Sequence, residues 1–255
     1  MSSLINLEGK NVLVLGGAGG IGSAIAIGMA KEGAKVAVAA RSMDALTKVA
    51  DEITAETGRE AMAHPVNVTD EASVTELANN VVTKFGSIDV LVCAQGLNRK
   101  YPATDYPMDE WDKLFSVNVK GTMIACKIVG KLMTEARKGC IINLSSVREI
   151  RGFTGGNSAY CATKGAVGML TKTLAIEYAP SNVRVNALGP ALVITLGTVH
   201  IKNNPELAAK YASQVPLGRI GEAEDMVGPA VFLASDAAGF VTGQTLFVDG
   251  GTTAG

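Results

Sequence analysis

The amino-acid sequence predicts an α/β fold in which helices cover both faces of a doubly wound parallel sheet. Short apolar runs alternate with segments of helical periodicity from the first strand onward. A glycine-rich turn directly follows the first apolar run. No repeat, low-complexity tract or linker divides the 255 residues, so we expect a single domain over residues 1–255.

The first half of the chain alternates strands and helices. Strands are predicted where apolar residues stand together or alternate, and helices where they recur every three to four positions. The predicted strands cover 12–15, 36–39, 61–66 and 89–92. The predicted helices cover 21–32, 44–56 and 71–85. These helices supply the crossovers that parallel strands need, which indicates right-handed βαβ units.

The second half continues the alternation but contains one segment without a clear period. The predicted elements are a helix from 108 to 119 and beyond, a strand at 140–144, a helix at 158–178, a strand at 183–187, a helix at 223–234 and a strand at 245–248. The aperiodic segment at 190–216 is a candidate substrate lid, with an ordinary surface helical hairpin as the alternative. The complete order is typical of a Rossmann-type sheet.

Composition and charge narrow the classes of function. With a net charge of -1 and an isoelectric point near 6.2, the chain has no overall field to attract nucleic acid or an anionic membrane. The N-terminus shows no signal-peptide pattern and no apolar run reaches membrane-spanning length. We therefore expect a cytoplasmic protein without nucleic-acid or membrane partners. Four cysteines without CxxC spacing are expected to be buried free thiols, and the two distant histidines predict no metal site.

The glycine-rich turn indicates a dinucleotide site. The segment reads GGAGGIG from Gly16 to Gly22, between the first strand and the first helix. Gly16 permits the tight turn, Gly20 lets the backbone approach a pyrophosphate, and Gly22 lets the helix pack closely on the sheet. The helix N-terminus would face the phosphate charge. A purely structural turn is the alternative.

The residues after the second strand predict which nicotinamide cofactor binds. Sites that read the ribose 2′-hydroxyl of NAD carry Asp or Glu at this point, whereas this chain has Arg41 and Ser42. A charge-assisted contact from Arg41 to a 2′-phosphate is worth about 1.5–3 kcal/mol, roughly a 10- to 100-fold preference. We predict NADP(H), with NAD as the alternative if Arg41 only points into solvent.

A tyrosine, a lysine and a serine form the candidate catalytic set. Tyr160 and Lys164 are four residues apart near the start of the long helix, which puts them on one face. The pKa of a free tyrosine lies near 10, and the Lys164 ammonium together with an oxidised nicotinamide would lower that of Tyr160 towards neutrality. Ser146, just after a strand, would hydrogen-bond the substrate oxygen and orient it. Tyr160 is therefore the predicted acid/base.

The order of these pieces resembles the short-chain dehydrogenase/reductase family over nearly the whole chain. The matching pieces are the glycine turn, Asn118, Ser146, Tyr160 with Lys164, Asn186 to Pro190, and Val248 to Gly251. The resemblance implies that Tyr160 is the general acid for reduction and the base for oxidation. It implies that Lys164 lowers the pKa of Tyr160 and holds the nicotinamide ribose. Ser146 would position the carbonyl or hydroxyl, and Asn118 would help to hold a proton-relay water near the lysine.

The resemblance also implies the remaining cofactor contacts. The residues implied are Gly19, Ile21, Asn67, Val68, Ala94, Gly96, Pro190, Val193 and Thr195, in addition to Tyr160 and Lys164. The chain departs from the family pattern at Leu15, Asn67, 93–96 and Ala191. The interval from Ser146 to Tyr160 is also one residue longer than the pattern, which leaves Ser145 as a competitor for the orienting role.

Polar and cationic residues near the expected pocket indicate the substrate class. Asn98 follows the fourth strand, Arg148 and Arg151 follow Ser146, and His200 lies in the predicted lid. An arginine can bind a carboxylate through two hydrogen bonds, which favours a polyol, a sugar or a sugar acid and a role in carbohydrate metabolism. Solvation of loop surfaces is the alternative. The segments at 96–100 and 221–236 resemble the gluconate 5-dehydrogenase and 2-deoxygluconate dehydrogenase branch of the family.

Two other functions fit the same features. A reductase of β-ketoacyl thioesters on acyl carrier protein uses the same catalytic set, and turnover of an acetoacetyl thioester would distinguish it. A non-catalytic NADP-binding sensor is a remote alternative, which the intact catalytic set disfavours. Family members usually form homotetramers, and the helices at 108–137 and 158–178 carry apolar residues on more than one face. We therefore expect a homotetramer.

Overall fold

Seven parallel strands form the central sheet, in the order β3-β2-β1-β4-β5-β6-β9. The strands are β1 (Asn11–Leu15), β2 (Lys35–Ala40), β3 (Met62–Pro65), β4 (Val90–Cys93), β5 (Gly139–Leu144), β6 (Val183–Pro190) and β9 (Thr245–Val248). This computed structural model describes residues 4–195 and 197–255, so 1–3 and residue 196 of the predicted lid lie outside the described residues. The strand order reverses between β1 and β4, which confirms the predicted doubly wound, Rossmann-type fold.

Helices cover both faces of this sheet. One face carries α1 (Gly20–Lys31), α2 (Met43–Thr57) and α9 (Val227–Ala234). The other carries α3 (Glu71–Phe85), α5 (Gly121–Glu135) and α6 (Ser158–Tyr178), with α4 (Met108–Phe115) leading into α5. Side chains alternate along each strand: Val12 and Val14 of β1 pack into the first layer, and Leu13 and Leu15 pack into the second.

Most elements lie within one or two residues of their predicted bounds, and α3, α6 and β9 agree at both ends. The strand predicted at 183–187 continues to Pro190 because its last residues pair with β9, with Pro190 opposite Val248. The helix predicted at 223–234 divides into a 3-10 turn (Ala223–Met226) and α9. A reciprocal cap between Glu222 and Asp225 fixes the start of that turn.

The predicted lid contains a short strand and two short helices. These are β7 (Val193–Ile194), α7 (Val199–Lys202) and α8 (Pro205–Ala212). β7 pairs in parallel with β8 (Gly221–Glu222), so the segment is anchored to the chain that follows it. The helical-hairpin alternative describes this secondary structure well, and the role of a lid stays a prediction.

The thiols are unpaired throughout the described chain. Cys93, Cys126 and Cys140 are buried as expected, whereas Cys161 is half-buried. No helix in residues 4–195 and 197–255 is long and apolar enough to span a membrane. Within the same residues, no group of three or more His, Cys, Asp or Glu side chains is arranged to hold a metal ion.

Candidate active site

The candidate site lies at the carboxyl edge of the sheet. β1 ends in the glycine turn, β4 leads into 94–96, β5 leads to Ser145 and Ser146, and β6 ends at Pro190. Parallel strands bring all these ends to one edge, and the reversal of strand order between β1 and β4 opens a crevice there. The local sequence thus folds as separate loops that meet at a single place.

Three glycines of the turn occupy positions where a side chain has no room. Gly16 has a φ of +74°, and a Cβ there would lie 2.6 Å from the Gln95 nitrogen. A Cβ on Gly22 would overlap the Gly16 carbonyl, as expected for close packing of α1 on the turn. A Cβ on Gly20 would lie 2.8 Å from Thr195, so the first turn of the predicted lid rests directly on the glycine turn.

A cleft of about 640 Å³ runs along this edge. Among the predicted cofactor-binding residues, those that line it are Gly16, Gly19, Arg41, Asn67, Val68, Ala94 and Gly96. The others lie outside its lining; these are Gly20, Ile21, Gly22, Ser42, Tyr160, Lys164, Pro190, Val193 and Thr195. Its size, the glycine turn at its base and the cation at one end fit a dinucleotide.

The far end of the cleft carries the residues predicted to choose the cofactor. Arg41 is exposed, and Ser42 caps α2, where its Oγ accepts a hydrogen bond of 3.4 Å from the Ala45 nitrogen. The end of β2 carries no carboxylate. The Oδ1 of Asn67 is engaged locally, because it accepts hydrogen bonds from the nitrogen and hydroxyl of Thr69 at 3.2 and 2.8 Å. A cation and a helix N-terminus therefore lie together at the end of β2, an arrangement that suits an anionic group.

Ser146, Tyr160 and Lys164 come together at the inner end of the site. Ser146 and Lys164 are only 5% and 3% exposed. The Lys164 Nζ lies 5.5 Å from the centre of the Tyr160 ring and donates a 2.6 Å hydrogen bond to the Leu144 carbonyl. The Ser146 hydroxyl lies within reach of the Tyr160 hydroxyl and favours its ionised form. The structure thus assembles the three predicted groups from two separate elements, the end of β5 and the start of α6.

Burial is the main influence on the pKa values of Tyr160 and Lys164 in the chain alone. Burial raises the pKa of Tyr160 to about 12, although the charge of Arg148 and the hydrogen bond with Ser146 act to lower it. Lys164 is not among the groups that lower this pKa in the chain alone, and the predicted lowering by Lys164 together with an oxidised nicotinamide stays a prediction. Burial also lowers the pKa of Lys164 to about 8, with the Glu149 carboxylate acting in the opposite direction. At neutral pH the pair is therefore a neutral phenol beside an ammonium.

The hydrogen bonds of Ser145 and Ser146 distinguish the two candidates for the orienting role. Ser145 donates a 2.6 Å hydrogen bond to Glu149 and packs at 3.4 Å from the Lys164 carbonyl, so its hydroxyl is engaged inside the protein. The Ser146 hydroxyl makes only long hydrogen bonds, because it donates to the Pro190 carbonyl at 3.3 Å and accepts from the Arg148 nitrogen at 3.2 Å. The geometry favours Ser146 for the orienting role.

Asn118 lies in a π-helical turn (Ser116–Lys120) between α4 and α5. Its amide accepts from the Leu97 nitrogen at 2.7 Å and donates to the Leu97 carbonyl at 2.9 Å. It also donates to Thr163, the neighbour of Lys164 on α6, at 3.1 Å. Asn118 therefore fastens the loop after β4 to the catalytic helix, and a contact with a relay water stays a prediction.

The four predicted substrate residues are not all brought to the site. Arg148 stacks on Phe153 at 4.1 Å, its charge acts on Tyr160, and its buried Nη1 has no hydrogen-bond partner in the described chain. Asn98 and His200 are exposed, His200 on α7. Arg151 is exposed and its guanidinium donates to the carbonyl of Thr252 in the C-terminal segment, so its contact with substrate stays a prediction.

Sequence reasoning missed two groups. One is the Glu149 carboxylate, whose neighbours come from distant parts of the chain and leave no local pattern. The other is a row of aromatic rings beside the cleft, in which Tyr101 contacts Tyr106, Tyr106 contacts Trp111, and Trp111 stacks on Phe115 with ring centres 4.8 Å apart. The spacing of Trp111 and Phe115 on one helix face is the signal that could have revealed this row.

Comparison with known families covers almost the entire chain. The profile of a family described as "Enoyl-(Acyl carrier protein) reductase" matches residues 16–253. The matched region begins at the glycine turn and ends just beyond Gly251, so it includes every candidate residue of the site.

Individual proteins are similar over the same length. The chain is 35% identical to a 5-keto-D-gluconate 5-reductase of Escherichia coli K12, with 98% of both chains covered. It is 38% identical to a 3-oxoacyl-[acyl-carrier-protein] reductase of Thermotoga maritima, over 97% of this chain and 99% of the other. A crystal structure of a gluconate 5-dehydrogenase from Burkholderia cenocepacia, in complex with NADP and tartrate, superposes with a TM-score of 0.92 at 32% identity, covering 98% of each chain.

Proposed function

The chain belongs to the short-chain dehydrogenase/reductase family, and we propose that it transfers a hydride between NADP(H) and a secondary alcohol or ketone of a polyol, a sugar or a sugar acid. One observation carries the proposal. Ser146, Tyr160 and Lys164 lie together beside a cleft that the glycine turn and Arg41 line. A proton donor, an orienting hydroxyl and a cation beside a dinucleotide cleft are the groups that carbonyl reduction needs.

Tyr160 is the proton donor in the direction of reduction. Its raised pKa keeps the phenol protonated at neutral pH. Ser146 donates a hydrogen bond to the substrate carbonyl oxygen, which orients and polarises the carbonyl. Bound NADPH supplies the hydride for the carbonyl carbon. The proton of the Tyr160 hydroxyl reaches the carbonyl oxygen and completes a secondary alcohol, and oxidation runs through the same groups in reverse.

Lys164 stabilises the charge that this transfer leaves behind. Its ammonium lies over the Tyr160 ring in a buried environment, where its positive charge favours the tyrosinate. The same ammonium is positioned to hold the nicotinamide ribose. Hydrogen bonds of Asn118 hold the loop after β4 against α6. We propose that Asn118 also helps to hold a relay water near Lys164.

The cleft supports NADP(H) as the cofactor. The glycine turn has no room for side chains at Gly16 and Gly22, as a close-fitting pyrophosphate site requires. Arg41 stands at the end of β2 without a neighbouring carboxylate, and the similar gluconate 5-dehydrogenase was solved with NADP. The 190–216 segment, which meets the glycine turn through Thr195, is the proposed lid. NAD remains the alternative cofactor.

Arg148 supports an anionic or polyhydroxylated substrate. Its unpartnered, buried Nη1 is a donor close enough to Tyr160 for its charge to affect the tyrosine pKa. A carboxylate or hydroxyl on the substrate would supply the missing acceptor. The names of the similar reductase and dehydrogenase point to the same sugar acids. Asn98 and His200 are exposed, and we propose them only as further polar contacts of the substrate.

A β-ketoacyl thioester is the second candidate substrate. It is favoured by the names of the matched family and of the similar Thermotoga maritima reductase. A non-catalytic NADP-binding sensor remains the remote alternative, because a protein that only binds the cofactor does not need Ser146, Tyr160 and Lys164 together.

A direct assay tests the proposal. NADPH and, separately, NADH are offered with keto sugar acids, small ketones and an acetoacetyl thioester, and polyols are offered with the oxidised cofactors. We expect turnover of a polar keto acid with NADPH, reduced about 10²- to 10⁴-fold by Tyr160→Phe. Tyr178→Phe on the same helix is the matched control, because its hydroxyl bonds the Cys126 carbonyl away from the site. Turnover of the thioester alone would transfer the proposal to the second candidate.

The surface supports assembly as a homotetramer. Met169 and Ile176, seven residues apart on one face of α6, are 61% and 77% exposed. Phe240 and, on the edge strand β9, Leu246 are further exposed apolar side chains. Two independent self-complementary faces generate a tetramer with three perpendicular twofold axes. Light scattering after size exclusion tests this proposal: wild type should be a tetramer, Ile176→Lys a dimer, and a monomeric wild type would contradict it.

We also place the protein in the cytoplasm. Buried free thiols suit a reducing compartment, as does dependence on NADPH. Fractionation of the source cells is the test, and recovery in an extracellular or membrane fraction would contradict this localisation.

A further inference from the structure

Glu149 stands at the end of the short 3-10 turn (Val147–Glu149) that follows Ser146. Its carboxylate accepts a 2.6 Å hydrogen bond from Ser145 and bonds of 3.1 and 3.2 Å from the hydroxyl of Thr245 on β9. It takes part in none of the salt bridges of the described chain. The negative charge is therefore held by hydroxyl groups and not neutralised by a contacting cation.

The same carboxylate packs directly on the catalytic helix. A Cβ on Gly168 of α6 would overlap the Glu149 carboxylate, so glycine is required for this contact. Gly168 follows Lys164 by four residues, which puts the two on one helix face about one turn apart. The Glu149 carboxylate thus contacts α6 about one turn along the helix from the backbone of Lys164.

Lys164 has few other charges to balance it. Its Nζ donates to the Leu144 carbonyl of β5, lies near the backbone of Gly96 from the loop after β4, and faces the Tyr160 ring on its own helix. Glu149 supplies the negative charge that raises the pKa of Lys164, against the burial that lowers it. Without that charge, the contacts of the ammonium within the described residues are all with uncharged groups.

We propose that Glu149 is a positioning residue for the reaction: its carboxylate fixes the turn that carries Ser146 and supplies the counter-charge that keeps Lys164 an ammonium. Its role in catalysis rests on the proposed function. Its charge coupling to Lys164 does not, so the two can be tested separately.

The first test measures the coupling through stability. Lys164 has a pKa near 8 in the folded chain and near 10.5 when unfolded, so the unfolded state binds more protons between these values. Its contribution therefore makes the free energy of unfolding rise from about pH 8 to 10.5. In Glu149→Gln, which retains the size and can still accept both hydroxyls, this rise should begin about one pH unit lower.

Urea unfolding from pH 6 to 10 measures this onset in the wild type, Glu149→Gln, Lys164→Met and the double variant. Glu76→Gln, at an exposed position on α3, is the matched control and should leave the onset unchanged. In the Lys164→Met background, Glu149→Gln should no longer change the pH dependence. If the free energy of unfolding begins to rise at the same pH in wild type and Glu149→Gln, Glu149 does not supply the counter-charge of Lys164.

The second test measures catalysis. In Glu149→Gln the alkaline limb of kcat/KM should move about one pH unit lower, and Glu149→Ala should additionally lower kcat because the turn with Ser146 loses its support. An unshifted limb in Glu149→Gln, with only reduced thermal stability in Glu149→Ala, would show a merely structural residue and overturn the proposal. Absence of any wild-type turnover with the unfolding shift intact would overturn the proposed function and leave the coupling standing.

Discussion

Buried charged side chains have different kinds of partner at the two edges of the sheet. At the amino edge, Asp89 is 8% exposed and has a salt bridge of 2.6 Å with Lys138. At the carboxyl edge, Lys164 is equally buried but donates only to the Leu144 carbonyl, and the Nη1 of Arg148 has no partner in the described chain. The buried charge at the amino edge has a direct ion pair, whereas neither Lys164 nor Arg148 forms one within the described residues.

The difference separates groups that hold the fold from groups that await a ligand. A buried charge without a partner costs free energy, so a fold retains it only where another requirement outweighs that cost. Substitution at the amino edge should therefore lower stability and spare activity. Substitution at the carboxyl edge should lower activity, and removal of the buried cation should even raise stability.

Lys164→Met gives the largest expected contrast. Turnover should fall at least about 100-fold, because the charge beside Tyr160 is lost. The free energy of unfolding at pH 7 should rise by roughly 2 kcal/mol: about 3 from relief of the lysine burial, less about 1 for the Leu144 carbonyl left without its donor. Urea unfolding and NADPH oxidation measure the two effects, and a less stable variant would break the comparison.

Ser146 and Ser145 are neighbours, but substitution of the first should mainly affect activity and substitution of the second mainly stability. Ser146→Ala should lower kcat/KM about 100-fold because the substrate oxygen loses its orienting donor, and should change stability little because the internal hydrogen bonds of this hydroxyl are long. Ser145→Ala should lower the free energy of unfolding by about 1 kcal/mol through the lost hydrogen bond to Glu149, with a much smaller loss of activity. The reverse ranking in steady-state kinetics would assign the orienting role to Ser145.

Asp89→Asn tests the amino edge. It should lower the free energy of unfolding by about 2 kcal/mol, through the weakened contacts with Lys138 and the Asn11 nitrogen, and leave kcat unchanged. Despite its burial, hydrogen bonds hold the pKa of Asp89 below its usual value. Its contribution is therefore present at neutral pH and lost as the pH falls through that lowered pKa. Unfolding curves at pH 7 and pH 3 should show that the difference between wild type and variant shrinks in acid.

Arg41→Ala gives the smallest expected effect. The preference for NADPH over NADH should fall roughly 10-fold, mainly through KM, because an exposed cation contributes less to binding than a buried one. Lys48→Ala on the exposed face of α2 is the matched control. Equal preference in wild type and Arg41→Ala would show that Arg41 does not read the 2′-phosphate.

The sequence was informative wherever the cause of structure is local. The periodicity of 158–178 predicts α6 with both its ends, and the spacing of Tyr160 and Lys164 places them on one face. The glycine turn, which lies between a strand and a helix, predicts the cleft at the carboxyl edge. These features need only neighbouring residues.

The remaining features depend on contacts between distant parts of the chain. Arg151 bonds the carbonyl of Thr252, 101 residues away, so its sequence neighbours gave no sign that it was occupied. The high pKa of Tyr160 follows from burial by the assembled fold and not from its helix neighbours. The contacts of Glu149 with Thr245 and with the space above Gly168 likewise exist only in the folded chain.

The aromatic row beside the cleft contains a natural fluorophore, whose emission should report the binding of NADPH. Trp111 is the single tryptophan of the chain, and its helix neighbours Glu110 and Lys113 line the cleft. Indole emits in the near-ultraviolet region where a dihydronicotinamide absorbs, so bound NADPH should quench this emission by energy transfer. With one donor per chain, the quenching amplitude reports occupancy without a label, even in variants that no longer turn over.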